Sequence, residues 1–402
     1  MTTNIFQNEM WRIRHCATLT PQPSKPLDDS EFVSFLPMEA IGEDGSVSLD
    51  EIINVGEAKS GYTFFENQDV VIAKITPCFE NGKGALVRNL VGGKGFGTTE
   101  LHVLRPKANM DARFLWWVTA SPSFRDQGTA TMLGAGGQKR VTPEFILDYR
   151  IDLPSLEAQR KIADYLDRET ANIDSLIEEK EHFIKLLGER RQALITEAVT
   201  RGVASNVPLK ESGLPWLGCI PAHWDIVNLR WIVGMQSGEG ITSDKIEESG
   251  TYPVYGGNGF RGYSKDFTHE GTYALVGRQG AQCGNVHIAT GRFWASEHAV
   301  VVTPRRPMSV NWLAEVLRLM NLNQYSVAAA QPGLAVDRIM SLQIPIPPVE
   351  EQHAIAKVIS AVSKVDEEMI QLNIQLIDAL KSRRSALIHE TTTGQIAIGS
   401  AA

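Results

Sequence analysis

The same long helical segment occurs twice in this chain, roughly 190 residues apart, and this constrains the fold more than any other feature. The first copy begins at Leu153 with LPSLEAQRKIADYL and closes at Arg190 with RRQALITEAVTRG. The second begins at Ile344 with IPIPPVEEQHAIAKVI and closes at Arg383 with RRSALIHETTTGQI. A chain that repeats a rod must also repeat whatever the rod carries.

Each copy opens on proline followed by acid, which suits a helix start: proline lacks only an N–H that would be orphaned there, and Glu157, or Glu350 with Glu351, complements the helix dipole. Ser155 is placed to cap the first copy. From there the apolar spacing alternates fours and threes. Ile162, Leu166, Ile173, Leu176, Phe183, Leu187 and Leu194 form one stripe, interrupted by Glu169, Lys180 and Arg190. The second stripe runs Val358, Val362, Val365, Met369, Leu372, Leu376 and Ala379. Both are coiled-coil seams. At 1.5 Å per residue such rods reach roughly 60 to 65 Å, and the economical way to dry their stripes is to pack them on each other, antiparallel because a globular segment separates them.

The intervening stretches, Trp11 to Asp152 and Pro208 to Gln343, carry short β-branched runs punctuated by glycine, such as VVIAKI at Val70, YALVG at Tyr273 and AVVVTP at Ala299. Helices are expected at Asp111–Thr119 and Asn311–Met320, and Gly202 to Pro221 reads as a linker. The two stretches also resemble one another. FGTTELHVLRP at Phe96 matches WASEHAVVVTP at Trp294, and LGAGGQKRV at Leu133 and AAQPGLAVDRI at Ala329 each place a glycine turn and a basic residue shortly before a rod. The expected class is α+β: strand-rich domains at 1–152 and 204–343, with long helices at 153–203 and 344–402.

No apolar run reaches the roughly 20 residues of a membrane helix and no secretory leader is visible, so a soluble, cytoplasmic protein is expected. Cys16, Cys78, Cys219 and Cys283 lie far apart without zinc-ligand spacing, which fits a reducing compartment and no metal. The net charge of -8 argues against a free-standing nucleic-acid binder. Its weight falls once the charges are located, because the helical segments are acid-rich while Pro208 to Pro345 holds equal numbers of acidic and basic residues.

Catalytic motifs are missing. GGKGFG at Gly92 has neither Walker spacing nor a following helix, no Asn/Asp-Pro-Pro-aromatic methyltransferase string occurs, and the nine histidines form no triad or metal pair. What remains is the polar, basic, glycine-rich loop chemistry of surfaces that lie on a phosphate backbone and reach base edges. In the first domain Lys74, Asn81, Lys83, Lys139 and Arg140 fit, and in the second Arg261, Lys265, Arg278, Gln279, Arg292 and Gln331. Each taken singly is as well read as solvated loop decoration, and a coiled-coil adaptor whose ends bind protein explains the rods and acidity equally. An enzyme with an unrecognised site is the third reading.

These strings resemble the specificity subunits of type I restriction-modification systems over nearly the whole chain. DVVIAKITPCFENGKGALV at Asp69, FGTTELHVLRP at Phe96, the Leu-Pro-x-x-Glu-x-Gln string at Leu153, the RRQALITEAVTRG exit, SGLPWLGCIPAHW at Ser212 and Pro-Pro-x-Glu-Glu-Gln at Pro347 all look like that family. The resemblance implies two target-recognition domains, each reading one half of a split site in double-stranded DNA, spaced by helices that also dock partners. The docking and coiled-coil positions are then Ile162, Leu166, Ile173, Leu176, Leu187, Val358, Val362, Met369, Leu372 and Leu376. It further implies two methyltransferase (modification) subunits that carry S-adenosylmethionine and methylate adenine, restriction subunits that use ATP and Mg, a circular arrangement, and a non-catalytic role with no cofactor of its own for this chain. In one respect the sequence departs from the pattern: the Pro-Trp-Leu-Gly-x-Ile-Pro-x-x-Trp string precedes the second domain but not the first, where only Trp11 to His15 remains.

Overall fold

The computed structural model describes residues 10–135, 137–280, 283–326 and 333–396. They form two compact units: one runs to Glu181 and resumes at Ile374, the other spans His182–Asn373.

In the first unit β1 (Met10–Arg12), α1 (Ile13–Cys16) and β2 (Ala17–Leu19) lead into β3 (Phe32–Leu36), β4 (Ile52–Asn54), α2 (Val55–Ala58), β5 (Thr63–Glu66), β6 (Val70–Ala73), β7 (Gly84–Leu86), β8 (Lys94–Gly97) and β9 (Leu101–Pro106). After them come α3 (Ala112–Ala120), α4 (Pro122–Ala130), the hairpin β10 (Leu133–Ala135) and β11 (Gln138–Arg140), α5 (Pro143–Asp148), β12 (Arg150–Asp152) and the start of α6 (Leu156–Arg201). Two four-stranded sheets result, in the orders β2-β9-β6-β7 and β4-β3-β8-β5. The VVIA run of β6 is buried at every residue because both faces of its sheet are covered. Side chains alternate across a strand, so Val70 and Ile72 join Phe114 and Leu115 of α3 while Val71 joins Leu36 and Phe65 in a separate core. The glycines of GGKGFG serve this packing. A Cβ at Gly95 would lie 2.4 Å from the Phe65 ring, and one at Gly97 would lie 2.8 Å from the Leu36 carbonyl oxygen.

The second unit opens with the end of α6 and continues through β13 (Leu209–Glu211), β14 (Cys219–Pro221), β15 (Asp225–Asn228), α7 (Leu229–Ile232), β16 (Val233–Ser237), β17 (Tyr252–Gly256), β18 (Gly259–Ser264) and β19 (His269–Gly277). Then follow β20 (Val286–Ala295), β21 (Ala299–Pro304), α8 (Val310–Leu319), α9 (Val336–Met340), β22 (Gln343–Ile346) and the start of α10 (Val349–Thr392). Its main sheet has six strands in the order β16-β21-β19-β20-β17-β18. The stretch read as a linker is structured instead and its end joins the core: β13 pairs with β14, and Leu217 and Ile220 are buried, as is Trp224 just beyond it. Apolar residues spaced among prolines and glycines had hidden that packing.

The units are built alike. β1 pairs antiparallel with β12 as β15 does with β22. The Lys107 N–H donates to the Cys16 carbonyl at 2.8 Å, and the Arg305 N–H donates to that of Ile232 at 2.8 Å. The strand, turn and strand of β1, α1 and β2 are therefore repeated as β15, α7 and β16, although the string that precedes β15 has no counterpart before β1 in the sequence. Asp111 caps α3 through its carboxylate and Ser309 caps α8 through its hydroxyl. The glutamine of each helix-opening motif docks that cap. Buried Gln159 accepts from the Asp111 N–H at 2.7 Å and donates to Asn109 and Pro154 carbonyls, and buried Gln352 accepts from the Ser309 N–H at 3.0 Å and donates to Pro347. Both side-chain amides are thus satisfied in the interior, where an unpaired one would be costly.

At 46 and 44 residues, α6 and α10 are each single helices, about 65 to 70 Å long at the α-helical rise. Ser155 caps α6 by accepting from the Ala158 N–H at 3.3 Å. The helices run antiparallel within each unit. In the first, Ile162, Ala163 and Leu166 share a core with Ile388, and Asp174 pairs with Arg384 at 2.8 Å. In the second, Ile355, Ala356 and Ile359 share a core with Ile195, and Glu367 pairs with Arg191 at 3.1 Å. The same contacts recur with the two helices exchanging roles.

The seam on α6 includes the expected Ile162, Leu166, Ile173 and Leu187, all buried, but Leu176 is exposed. On α10 the expected line is corrected. Val358, Met369, Leu372 and Leu376 are exposed and Val362 half-buried, whereas Ile355, Ile359, Asp366 and Ile377 are buried. The true seam lies one residue later along much of the helix, about 100° around it. Polar Asp366 and Asn373 occupy seam positions beside apolar Val365 and Leu372, so hydrophobic periodicity alone selects the wrong face. No helix among the described residues is long and apolar enough to cross a membrane.

Candidate nucleic-acid interface

In the first unit β6 ends at Ala73, and the chain leaves the sheet pinned on both sides. The Lys74 N–H donates to the Glu100 carbonyl at 2.9 Å, and the Val141 N–H donates to the Lys74 carbonyl at 2.8 Å. Thr76 then grips the β10–β11 hairpin: its N–H donates to the Lys139 carbonyl at 2.9 Å, its hydroxyl donates to the Gly137 carbonyl at 2.8 Å and accepts from the Lys139 N–H at 3.0 Å. All described residues of that hairpin are exposed. Gly134, at φ 150°, is required by its shape, because a Cβ there would meet the Gln138 carbonyl oxygen at 2.2 Å.

Lys74, Lys139 and Arg140 are therefore brought together at one edge. Arg140 is engaged: its guanidinium forms two 2.8 Å hydrogen bonds with the Glu100 carboxylate and holds that carboxyl below its ordinary proton affinity. Asn81 lies on the adjoining loop and donates to Glu43 at 2.9 Å. Lys83 turns inward to the Met38 carbonyl at 2.9 Å and acts as a structural tie. Thr76 and Glu100, which charge and glycine patterning did not single out as contacts, organise this edge. Neither has a signal that survives comparison of the modules, because the glutamate of the second copy's SE string, Glu297, lies one position before the structural counterpart of Glu100, His298.

His102 lies beneath it, buried, with Nε2 donating to the Val141 carbonyl at 3.0 Å. Desolvation lowers its pKa from the ordinary 6.5, against the opposing pull of that hydrogen bond. The unfolded chain thus binds the proton more tightly than the folded one, so stability is fully present above pH 6.5 and is lost as pH falls through 6.5 toward the folded value. Chemical unfolding of the full chain at pH 7.5 and at about 5.5 is expected to show a loss in the first unit that His102→Gln removes. An unchanged pH dependence in that variant contradicts this assignment.

In the second unit β19 ends at Gly277 with the same exit. The Arg278 N–H donates to the His298 carbonyl at 2.9 Å, and the Leu334 N–H donates to the Arg278 carbonyl at 2.9 Å. Arg278 Nη1 donates to Ser237 Oγ at 2.9 Å. The turn between β17 and β18 closes on the same place, since a Cβ at Gly257 would lie 3.2 Å from the His298 carbonyl oxygen and 3.4 Å from that of Gln279. Exposed Arg261 packs on Gly256, and so Arg261, Arg278 and Gln279 converge. Lys265 and Arg292 do not join them. Lys265 pairs with Glu247 at 3.2 Å, and Arg292 pairs with Glu270 at 3.2 Å and covers the Phe267 ring. Glu270 sits at the start of β19, roughly 25 Å from Arg278 along the strand. Gln331 lies outside the described residues. Among the described residues no group of His, Cys, Asp or Glu is arranged to hold a metal ion.

Two exposed polar edges, each on the same exit of the same module, are what a repeated recognition domain presents. The family model described as the Type I restriction modification DNA specificity domain matches residues 17–185 and again 221–381, one match for each module. The chain belongs to that family. Over 132 residues it is 46% identical to the Type I restriction enzyme EcoprrI specificity subunit of Escherichia coli, covering 32% of this chain and 33% of that one. It is 41% identical over 148 residues to the EcoEI specificity subunit of Escherichia coli, covering 36% of this chain and 25% of that one. These matches span only a quarter to a third of each relative's length. Among solved structures, a chain from a study of complex assembly and conformational transition of the type I R-M system aligns at 18% identity with a TM-score of 0.72, covering 96% of this chain and 98% of that one. The HsdS subunit from Thermoanaerobacter tengcongensis aligns at 18% identity with a TM-score of 0.57, covering 96% and 97%. Both structures establish the fold of the specificity-domain family for this chain: two strand-rich modules and two long helices.

Proposed function

We propose that this chain is the DNA-reading, non-catalytic subunit of a type I restriction-modification enzyme, in which each module recognises one half of a split site in double-stranded DNA. The observation that carries the reading is duplication: one chain holds two copies of a recognition module, each docked on a long helix through an equivalent buried glutamine, Gln159 or Gln352. A split, directional target needs two readers on one spacer, and a repeated module supplies them. Lys74, Asn81, Lys139 and Arg140 in the first module, and Arg261, Arg278, Gln279 and Gln331 in the second, are the candidate DNA contacts.

The partners follow from the helices. Val358, Val365, Met369 and Leu372 line an exposed apolar face of α10 in the second unit, with Phe183 and Leu186 exposed on α6. Leu176 and Leu376 are exposed in the first unit. Contiguous apolar lines of this kind mark protein contacts, and modification subunits, two per chain, are their proposed occupants, with restriction subunits joining that assembly. S-adenosylmethionine, ATP and Mg belong to those partners, and the complex is cytoplasmic. Partner subunits also resolve the charge problem, since a chain of net charge -8 reads DNA best when others supply basic surface. The full chain alone is expected to bind duplex DNA weakly and with strong salt dependence, and to bind it tightly and selectively once co-purified with the modification subunit. Tight, sequence-specific binding by the isolated chain overturns this division of labour.

A further inference from the structure

Lys74 and Arg278 occupy one and the same position in the two modules. Ala73 pairs with Leu101 before Lys74, and Gly277 pairs with Ala299 before Arg278. Each cation then gives its N–H to the residue that precedes the next core strand, Glu100 or His298, and takes an N–H from the segment that leads to the last short helix, Val141 or Leu334. One residue further on, Ile75 bridges Arg140 and Gln279 bridges Gly333. With its backbone fixed on both sides, the side chain at this point has little choice but to project from the sheet end. Lys74 is half-exposed and Arg278 exposed.

The surroundings differ in kind while the charge stays. Glu100 stands where the second module has His298, Arg140 where it has Gly333, and Ile75 where it has Gln279. The halves of a split target differ in their bases but not in their phosphates. A contact to base edges must change its donor and acceptor pattern from one half to the other, and a contact to phosphate need only stay positive. We propose that Lys74 and Arg278 are the matched phosphate contacts of the two modules, setting each on the DNA backbone so that the residues around them face the bases. Arg278 suits the role further, because Ser237 takes one of its donors and helps fix the fork, and a guanidinium has further donors in the same plane to offer phosphate oxygens. The inference rests on the DNA-reading function proposed above.

The test uses the full chain co-purified with its modification subunit and a random-sequence duplex of about four helical turns, titrated between about 50 and 200 mM salt. Lys74→Met and Arg278→Met are each expected to weaken binding on the order of tenfold and to lower the slope of log affinity against log salt by about 1, and the double variant by about 2. The sequence that each variant selects from a randomised duplex pool stays that of the parent. Lys74→Arg and Arg278→Lys keep the slope, which separates lost charge from a damaged fold. An unchanged slope in the methionine variants, or a changed base preference in one half of the selected sequence, overturns the proposal. Failure of the underlying function is read from the parent complex, which then selects no sequence at all.

Discussion

Replacing Trp11 to Asp152 with the corresponding module of a related specificity subunit is expected to rewrite one half of the methylated DNA motif and leave the other half and the spacing untouched. The graft is physically favourable because its ends are neighbours: Trp11 pairs with Ile151 and Arg12 with Arg150 in the β1–β12 ribbon, so both strands of that pair are exchanged together. The cores of this module lie largely within it, around β6, β9 and α3, and α6 meets it through Gln159, Ile162 and Leu166, which remain in place. A hybrid that retains both original half-sites, or that changes both, removes the one-module, one-half-site assignment. Methylation patterns of genomic DNA from cells carrying the hybrid give the readout.

The second large effect concerns stability. Trp224, which closes the SGLPWLGCIPAHW string, is fully buried and donates through Nε1 to Glu351 of α10 at 3.1 Å. Its ring packs with Leu217, Ile220 and Leu229, and the same Glu351 oxygen meets His223 Nε2 at 2.9 Å. Trp224→Ala removes one of the two fully buried tryptophans of that core and is expected to cost about 3 to 5 kcal/mol, the range for deleting a buried aromatic. With a urea slope of about 2 kcal/mol per molar, the second unit then unfolds roughly 1.5 to 2.5 M earlier. Hydrogen exchange at the β19 and β21 amides follows that unit, while β6 and β9 amides report the first and are expected to stay protected. A loss under about 1 kcal/mol returns the string to the status of a linker.

Much of this architecture could be read from residues alone, and the reasons are local. Proline, acid and an alternating three-four apolar spacing announce α6 and α10 because each acts within one or two helical turns. VVIA at Val70 announces a strand buried on both faces because nothing polar interrupts it. Where the decisive contact is distant, the sequence is silent. Val365 and Leu372 look more like seam residues than Asp366 and Asn373, and only the position of α6 decides that Asp366 is buried and Asn373 half-buried while Val365 and Leu372 stay exposed. The candidate contacts show the same limit. Arg140 and Arg278 look alike as basic residues near glycine, yet one is held by Glu100 forty residues away in sequence and the other by the Ser237 hydroxyl. Lys265, just after β18, and Arg292, on β20 opposite the start of β19, carry the right charge away from the end of β19 at which Arg278 lies, a fact set by strand direction. The equivalence of Lys74 and Arg278 lies in the strand partners and backbone hydrogen bonds they share, and the loops around them differ in sequence.

The most direct test of a bipartite DNA reader is the adenine-methylation map of the genome with this gene intact and with it deleted. One split motif is expected, two short specified halves around an unspecified spacer, methylated in the first strain and bare in the second. A map that is the same in both strains, while the modification subunit is present and active, contradicts it.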